Sequence, residues 1–445
     1  MDDGRDKKST RDIYDEIVIG AGAAGLFYAA GSSAESTGTP QHVLRRLILE
    51  KTSHAGQKLL MSGNGMCNIT HGGSIKDFID KYGENGRLIR SCLYKHNNIE
   101  LMKMMERLGV PLTERDDGKI FPVSMRAGDV LDALLRAAER NSWKIRYDSK
   151  VTSISWNQKE CEESSDEILI NVALKNGTVL QTGKLVIACG GSSYPSTGSD
   201  GMLLDVLKRD LGVQVIEPRP ALTPIYLQDF RFGGISGVSF KDVLLECGVH
   251  ITRGPMLITH KCISGPAVLH MSQYVKAGDT LTVNFIPDAR KEDIIRKLKA
   301  DALGNSTGLA NYLAAAFSLP KSFIDLLVDA PEKKMSMLGG RDFDRIAEAL
   351  TASIFSVSGT GGWNDAMVTA GGVALDSVDL RTMRLKSIKE KESAGSALPD
   401  KCKREKESAG SALPDIRIIG EVLDVNGDTG GYNLQFAYSS AMTAR

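Results

Sequence analysis

Residues 14–30 read YDEIVIGAGAAGLFYAA. The apolar run Tyr14–Ile19 is typical of a buried strand, Gly20–Gly25 is a turn, and Leu26–Ala30 opens a helix. A second apolar run, Leu44–Glu50, follows after a polar loop and predicts another strand. The order strand, glycine turn, helix, strand predicts an α/β domain built on a Rossmann-like parallel sheet.

The glycines of this turn have the spacing G-x-G-x-x-G. Gly20 permits the tight turn, Gly22 lets the backbone approach a pyrophosphate, and Gly25 allows the helix to pack closely on the strand. The N-terminus of the helix then supplies amide groups and the positive end of its dipole to the phosphates. Glu50, at the end of the second strand, is expected to accept hydrogen bonds from an adenosine ribose. The sequence therefore predicts a dinucleotide site, and the alternative is a glycine turn without a ligand.

Composition argues against several classes of protein. The chain has 445 residues, which predicts two or three domains, and its 55 basic and 55 acidic residues argue against a protein that coats nucleic acid. The 7 cysteines include no C-x-x-C pair, so neither a disulfide framework nor a redox disulfide relay is expected. The 7 histidines form no ligand-spaced pair, so no metal site is expected. No segment resembles a signal peptide or a membrane span, and we expect a cytoplasmic protein.

Hydrophobic periodicity divides the chain into four parts. Residues 12–205 carry the first part of the predicted nucleotide domain, with a β-meander that ends at Thr178–Thr182 and a separate strand at Lys184–Ala188. Residues 206–288 are rich in predicted strands. Residues 289–350 have helical spacing, and 351–445 return to strands and a final helix. We therefore expect a discontinuous nucleotide domain with an inserted β-rich substrate domain and a helical subdomain.

An eleven-residue sequence, EKESAGSALPD, occurs at 390–400 and again at 405–415. It is charged and has no apolar face, so it does not form a solenoid. We interpret 384–415 as a duplicated surface loop. Its basic residues also suggest an RNA-binding segment as an alternative, although interspersed acids dilute the positive charge.

Three further segments carry chemical signals. The glycine-rich loop in GQKLLMSGNGMCNIT (56–70) can run along a flat ligand, and VIACGG (186–191) ends a strand in small residues, as flavoproteins often do beside the nucleotide. In GEVLDVNGDTGGYNL (420–434), a helix that begins after two glycines would direct its N-terminus at the negative charge of a reduced flavin. The alternative for 56–70 is a plain surface loop, and that for 186–191 is a buried strand followed by a turn. The alternative for 420–434 is a helix capped by Asp428 or Thr429.

Together these segments resemble the BaiN-like family of FAD-dependent oxidoreductases, from about Asp15 to Ala437. The resemblance rests on the motifs GAGAAG (20–25), GQKLLMSGNGMCNIT (56–70), KIFPVSMRAGDVLDAL (119–134), ISGPAVL (263–269), VTAGGV (368–373) and GEVLDVNGDTGGYNLQFA (420–437). The resemblance implies an FAD domain of the glutathione-reductase type, interrupted by a β-barrel-like domain that holds a small helical unit. Met66 departs from the family, in which this loop position is usually arginine.

The resemblance also implies which residues bind FAD non-covalently. The predicted contacts are Gly20, Gly22, Ala23, Ala24, Gly25, Glu50, Lys51, Lys58, Gly63, Gly65, Asn68, Val151, Ala188, Gly190, Gly191, Gly420, Glu421, Asp424, Gly430, Gly431, Tyr432 and Asn433. Two residues are weighed as catalytic groups. Cys67 lies in the glycine-rich loop and His260 follows an apolar run in the inserted part; the alternatives are a packing cysteine and a structural histidine.

The resemblance implies hydride transfer from NAD(P)H, a transient electron donor, through FAD to an electrophilic C=C or similar group of a small-molecule substrate. One alternative is an FAD-dependent oxidase that consumes oxygen and a small amine. Another is a flavin-containing protein that associates with RNA. Neither a membrane nor a nucleic-acid partner is expected, and the sequence leaves the substrate and the oligomeric state open.

Overall fold

The structure is a computed structural model that describes residues 13–32, 44–157, 168–386 and 414–445. The strands are β1 (Ile13–Ile19), β2 (Arg46–Leu49), β3 (Thr70–His71), β4 (Leu112–Glu114), β5 (Lys119–Pro122), β6 (Trp143–Arg146), β7 (Val151–Asn157), β8 (Leu169–Leu174), β9 (Val179–Ile187), β10 (Val215–Ala221), β11 (Ile225–Leu227), β12 (Ser239–Cys247), β13 (His250–Ile258), β14 (Ile263–Ser264), β15 (Thr280–Asn284), β16 (Ser353–Thr360), β17 (Val368–Val373), β18 (Val378–Asp379), β19 (Arg384–Leu385) and β20 (Asp415–Ile418). The helices are α1 (Ala23–Gly31), α2 (Gln57–Met61), α3 (Ile75–Phe78), α4 (Gly86–Lys95), α5 (Asn98–Arg107), α6 (Ala127–Arg140), α7 (Met202–Val206), α8 (Pro266–Met271), α9 (Lys291–Ala302), α10 (Leu309–Phe317), α11 (Lys321–Leu327), α12 (Gly340–Thr351) and α13 (Tyr432–Thr443). Of the duplicated loop predicted at 384–415, residues 387–413 lie outside the described residues. Its described ends correct the prediction, because they contain β19 and the first residue of β20.

The chain forms two compact units. The first contains Met1–Arg219 and Val368–Arg445, and the second contains Pro220–Met367. Both divisions lie later in the chain than the predicted boundaries, and the four-part division of the sequence stays a prediction.

A mixed sheet is the centre of the first unit. Its main strand order is β18-β19-β20-β9-β1-β2-β6, with β7 and β8 continuing from β9 as a meander. The strand β1 pairs in parallel with both β2 and β9, which buries Ile17 and Val18 completely. Two helices, α1 and α13, pack together on this sheet, where Phe27 meets Tyr438 edge to face at 5.6 Å between ring centres. The apolar run before the glycine turn is therefore apolar because both faces of a parallel strand are covered.

The strand β9 corrects one prediction. The sequence suggested separate strands at Thr178–Thr182 and Lys184–Ala188, but β9 runs without a break through Gly183. Residues 179–182 pair antiparallel with β8, and residues from Gln181 to Ile187 pair in parallel with β1. A single long strand can therefore join the meander to the main sheet.

The second unit is a closed barrel with helices. The barrel order is β11-β14-β13-β12-β15-β16. Its interior is a separate apolar core in which the rings of Phe240 and Phe323 lie 4.7 Å apart. Phe323 belongs to α11, so the helical part and the barrel share this core. The predicted combination of a Rossmann-like sheet with a meander, a barrel-like insertion and a small helical part is confirmed.

Candidate functional site

The glycine turn closes between β1 and α1. Gly20 has φ +106°, and a Cβ atom there would lie 2.5 Å from the backbone oxygen of Ala188. A Cβ atom at Gly25 would lie 2.1 Å from the oxygen of Gly20, so the protein's own packing requires both glycines. At Gly22 a Cβ atom would meet nothing within 4 Å. Packing does not require this glycine, and the space beside it is open to a ligand.

The helix α1 begins at Ala23 rather than at Leu26, because Gly22 acts as its N-cap in an extended conformation. The first amides of a helix have no acceptor within it, and no side chain caps this one. These amides and the open space at Gly22 together fit a pyrophosphate.

Glu50 directly follows β2, beside this turn, and is 9% exposed. Its Oε2 accepts a hydrogen bond from Ala21 N at 3.0 Å, and its Oε1 accepts from Thr52 N and Thr52 Oγ1, both at 2.9 Å. These bonds fix the carboxylate against the glycine turn and leave acceptor positions for a ribose hydroxyl. The neighbouring Lys51 forms an ion pair with Asp200 at 2.6 Å instead.

Lys58 and Glu421 form an ion pair that connects distant parts of the first unit. Lys58 Nζ lies 2.6 Å and 2.8 Å from the two carboxylate oxygens of Glu421, and it also donates to Ser193 Oγ. Glu421 Oε1 accepts from Thr369 N at 2.9 Å and from Ser193 Oγ at 3.1 Å. We call these four residues the Lys58–Glu421 cluster. Burial alone would raise the pKa of Glu421, but the Lys58 ammonium and these hydrogen bonds lower it below its ordinary value.

The glycine-rich loop has an unusual backbone. Gly63, Asn64, Gly65 and Cys67 all have positive φ angles, and the carbonyl oxygen of Ser62 accepts from both Gly65 N and Cys67 N. Cys67 is fully buried, and burial raises the pKa of its thiol to about 11. A buried, protonated thiol is a poor nucleophile, so these observations favour a packing role for this cysteine.

The segment before α13 meets the glycine-rich loop. A Cβ atom at Gly431 would lie 2.6 Å from the backbone of Thr70. The side-chain amide of Asn68 is oriented so that both its oxygen and its nitrogen form hydrogen bonds. The oxygen accepts from Gly431 N at 3.1 Å, and the nitrogen donates to Thr70 O at 2.9 Å. The alternative of Asp428 or Thr429 as the N-cap residue is wrong, because Gly431 is the N-cap.

Other predicted residues stabilise the same segment. Asn433 Oδ1 accepts from Gly427 N at 2.8 Å, and Asp424 Oδ1 accepts from Gly371 N at 2.9 Å. The carbonyl of Tyr432 accepts from Tyr82 Oη at 2.7 Å. These residues hold the loop that leads into α13, which places the N-terminus of this helix near Asn68.

The remaining predicted residues divide between the two units. Ala188, Gly190 and Gly191 follow β9 in the first unit, Gly420 contacts Ala24 of α1, and Val151 begins the meander. His260 is exposed and lies in the second unit. Its backbone oxygen would lie 2.6 Å from a Cβ atom at Gly233. A catalytic role for His260 stays a prediction.

Sequence reasoning missed Ser193, Thr369 and Thr52. Thr369 Oγ1 also accepts from the amides of Ser192 and Ser193, at 2.7 Å and 3.2 Å. Thr369 lies in the VTAGGV segment, which is one of the motifs of the family resemblance, but its hydrogen-bond partners are distant in the chain and could not be inferred from that segment. Within the ranges that the structure describes, no group of three His, Cys, Asp or Glu side chains could hold a metal ion, and no helix could span a membrane.

The parallel strands at the centre of the sheet, the open glycine turn before α1, and the acid that follows β2 are the features of a dinucleotide-binding domain. Residues 14–398 match the family described as HI0933-like protein Rossmann domain, and the chain belongs to this family. The resemblance to FAD-dependent oxidoreductases of the BaiN-like family is confirmed.

Curated relatives match the chain almost from end to end. It is 29% identical over 437 residues to a ribosomal RNA dihydrouridine synthase of Escherichia coli (strain K12), with 96% of each chain covered. It is 27% identical over 448 residues to a 3-dehydro-bile acid delta(4,6)-reductase of Clostridium scindens, with 96% of this chain and 97% of the relative covered. Among solved structures, a 3-ketosteroid-delta4-(5alpha)-dehydrogenase of Rhodococcus jostii RHA1 matches with a TM-score of 0.47 and 13% identity, over 97% of each chain.

Proposed function

We propose that this protein uses FAD to saturate a carbon–carbon double bond conjugated to a carbonyl group, with NAD(P)H as the electron donor. The names of the two curated relatives carry this proposal. Dihydrouridine is uridine with its ring double bond saturated, and a delta(4,6)-reductase saturates double bonds of a steroid. The substrates differ in size and charge, but both reactions add hydrogen across a polarised C=C.

The residues of the first unit have distinct tasks in this proposal. The amides at the start of α1, beside the open space at Gly22, bind the pyrophosphate, and Glu50 accepts from the adenosine ribose. The N-terminus of α13, positioned through Asn68 and Gly431, stabilises negative charge at the redox-active end of the cofactor. FAD, when bound, supplies the hydride chemistry that side chains cannot perform.

The Lys58–Glu421 cluster is a positioning device in this proposal. Its ammonium and carboxylate neutralise one another, and its hydrogen bonds tie α2, the residues after β9, β17 and the segment before α13 together. We expect it to hold the cofactor-binding segments in register rather than to exchange protons with substrate.

An anaerobic experiment tests the reaction. The FAD-loaded protein is reduced with NADPH, and recovery of the oxidised flavin absorbance is followed after addition of a uridine-containing ribosomal RNA fragment or a 3-oxo-4-ene steroid. We expect one of them to reoxidise the flavin and to gain the mass of one H2 molecule. Reoxidation by neither acceptor, together with peroxide formation from a small amine and oxygen without NADPH, would establish the oxidase alternative instead.

Two glycine variants separate cofactor binding from general damage. Gly22→Val fills the open space at the start of α1, whereas Gly128→Val adds the same side chain in α6, where a Cβ atom also meets nothing within 4 Å. We expect the first variant to lose FAD and turnover and the second to retain both. Equal retention in the two variants would refute the assignment of Gly22.

A further inference from the structure

The turn between β4 and β5 places Arg115 at the glycine-rich loop. Gly118 N donates to Arg115 O at 2.8 Å, which fixes the backbone of this turn. The guanidinium carbon lies 4.2 Å from the centre of the Phe121 ring. Its Nη2 lies 3.5 Å from Met66 Sδ and 3.8 Å from Met125 Sδ. The guanidinium is therefore positioned by an aromatic ring face and two thioethers.

These contacts leave most of the guanidinium donors available. Thioether sulfur is a weak acceptor, and a ring face occupies the plane of the guanidinium rather than its edge. Two nearby acids have other close contacts: Asp117 pairs with Lys119 at 2.5 Å, and Glu114 Oε1 would lie 2.2 Å from a Cβ atom at Gly72. The Arg115 charge acts on Asp117 only through space. In the part of the chain that the structure describes, Arg115 forms no ion pair with a carboxylate. The guanidinium is thus oriented by the ring and the two thioethers rather than by an ion pair.

The Arg115 side chain lies beside the glycine-rich loop, which is part of the candidate cofactor site. The ring of Phe121 would lie 3.3 Å from a Cβ atom at Gly63, so the ring beneath Arg115 touches the glycine-rich loop. On the same edge, Ala127 N donates to Gly65 O at 2.8 Å, and Arg126, the residue before it, is exposed. A second arginine therefore lies next to this edge of the loop.

We propose that Arg115 is a substrate-binding residue whose guanidinium binds an oxyanion, a phosphate or a carboxylate, carried by the substrate. The proposal rests on the proposed function for the position of the reacting group. A planar guanidinium donates two parallel hydrogen bonds to either oxyanion, which fixes the orientation of the molecule that carries it. The site would therefore select substrates with an anionic group some distance from the double bond.

Binding titrations with matched probes test this site. The FAD-loaded protein is titrated with uridine 5′-monophosphate against uridine, and with a 3-oxo-4-ene steroid carboxylic acid against its methyl ester, following the flavin difference spectrum. For one pair we expect the charged probe to bind at least about tenfold more tightly to the wild type. The pair that shows the preference identifies phosphate or carboxylate as the source of the oxyanion.

Variants then assign the preference to Arg115. R115M should abolish it, and R115K should retain only part, because an ammonium group cannot donate in the same two-pronged geometry. The control is R90M, since Arg90 also lies over an aromatic ring, that of Tyr94, at 5.1 Å. It should keep the full preference, and all three variants should retain FAD.

The outcomes separate this proposal from the proposed function. Charged-probe preference that disappears in R115M supports the site even where no probe is reduced, in which case only the proposed function fails. Reduction of a probe without any charge preference in the wild type overturns the Arg115 site and leaves the proposed function standing. Absence of binding by every charged probe, or a preference that R115M retains, also overturns it.

Discussion

Removing Lys58 should destabilise the first unit far more than removing an exposed lysine. In Lys58→Met, the carboxylate of Glu421 keeps Ser193 and Thr369 N as donors but loses the ammonium group with which it pairs. Breaking a buried ion pair from one side costs about 3–5 kcal/mol. Since the two side chains are 26% and 22% exposed, we expect the lower end of this range, a loss of about 3 kcal/mol in the free energy of unfolding.

The complete test is a double-mutant cycle. Glu421→Gln should cost about 2 kcal/mol because the amide still accepts hydrogen bonds but no longer balances Lys58. The double variant should lose less than the sum of the single losses, with a coupling free energy of about 2 kcal/mol. The assay is urea denaturation followed by circular dichroism, in which the midpoint shifts while the slope stays constant.

The control for this cycle is Lys103→Met. Lys103 pairs with Glu100 at 3.1 Å on α5, with side chains 57% and 43% exposed, so its loss should cost less than about 1 kcal/mol. A Lys58→Met variant as stable as this control would refute the reasoning. So would a cycle in which the two single losses simply add.

The cluster also predicts a dependence on pH. Because the pKa of Glu421 is lower in the folded protein, its contribution to stability is complete above the ordinary glutamate pKa and is lost as pH falls through the lower, folded value. The stability difference between the wild type and Glu421→Gln should therefore shrink on acidification below the ordinary carboxyl range. A difference that grows on acidification would contradict this direction.

Three further predictions concern the same unit. Gly20→Ala should lower the free energy of unfolding by about 3 kcal/mol or more, because residue 20 has a positive φ angle and its new Cβ would meet the oxygen of Ala188. Thermal unfolding measures this change, and a loss under about 1 kcal/mol would contradict the prediction. Cys67 should resist alkylation by iodoacetamide near pH 8 until the protein unfolds, since its pKa is about 11 and it is buried; labelling as fast as that of a free thiol would oppose a packing role. Deleting 390–400, the first copy of the repeat, should leave FAD content unchanged, and loss of flavin from this variant would show that the segment is more than a surface loop.

The glycine turn and β1 were predictable because their sequence patterns are contiguous in the chain. The glycine spacing at 20–25 predicts a turn, and the structure supplies the reasons: Gly20 and Gly25 face backbone oxygens, whereas Gly22 faces open space. The apolar run of β1 is similarly explained by parallel neighbours on both sides. In each instance the sequence signal lies within a strand, a turn and a helix that follow one another in the chain, although β9 and the residue after it supply part of the contacts that explain it.

Contacts between distant segments were not predictable from spacing. The resemblance indicated Lys58 and Glu421 as separate cofactor contacts, but only the fold pairs them and adds Ser193 and Thr369 from other segments. The break predicted within β9 has a related cause. Gly183 weakens the local strand signal, whereas pairing with β8 and with β1 along its length keeps the strand continuous.

The most direct test of the central claim is the flavin content of the purified protein and its Gly22→Val variant. Visible absorbance, followed by release and identification of the chromophore, should show a single FAD per chain in the wild type and in Gly128→Val, and none in Gly22→Val. A colourless wild type that also fails to take up added FAD would contradict the assignment of this turn and the sheet beneath it to FAD binding.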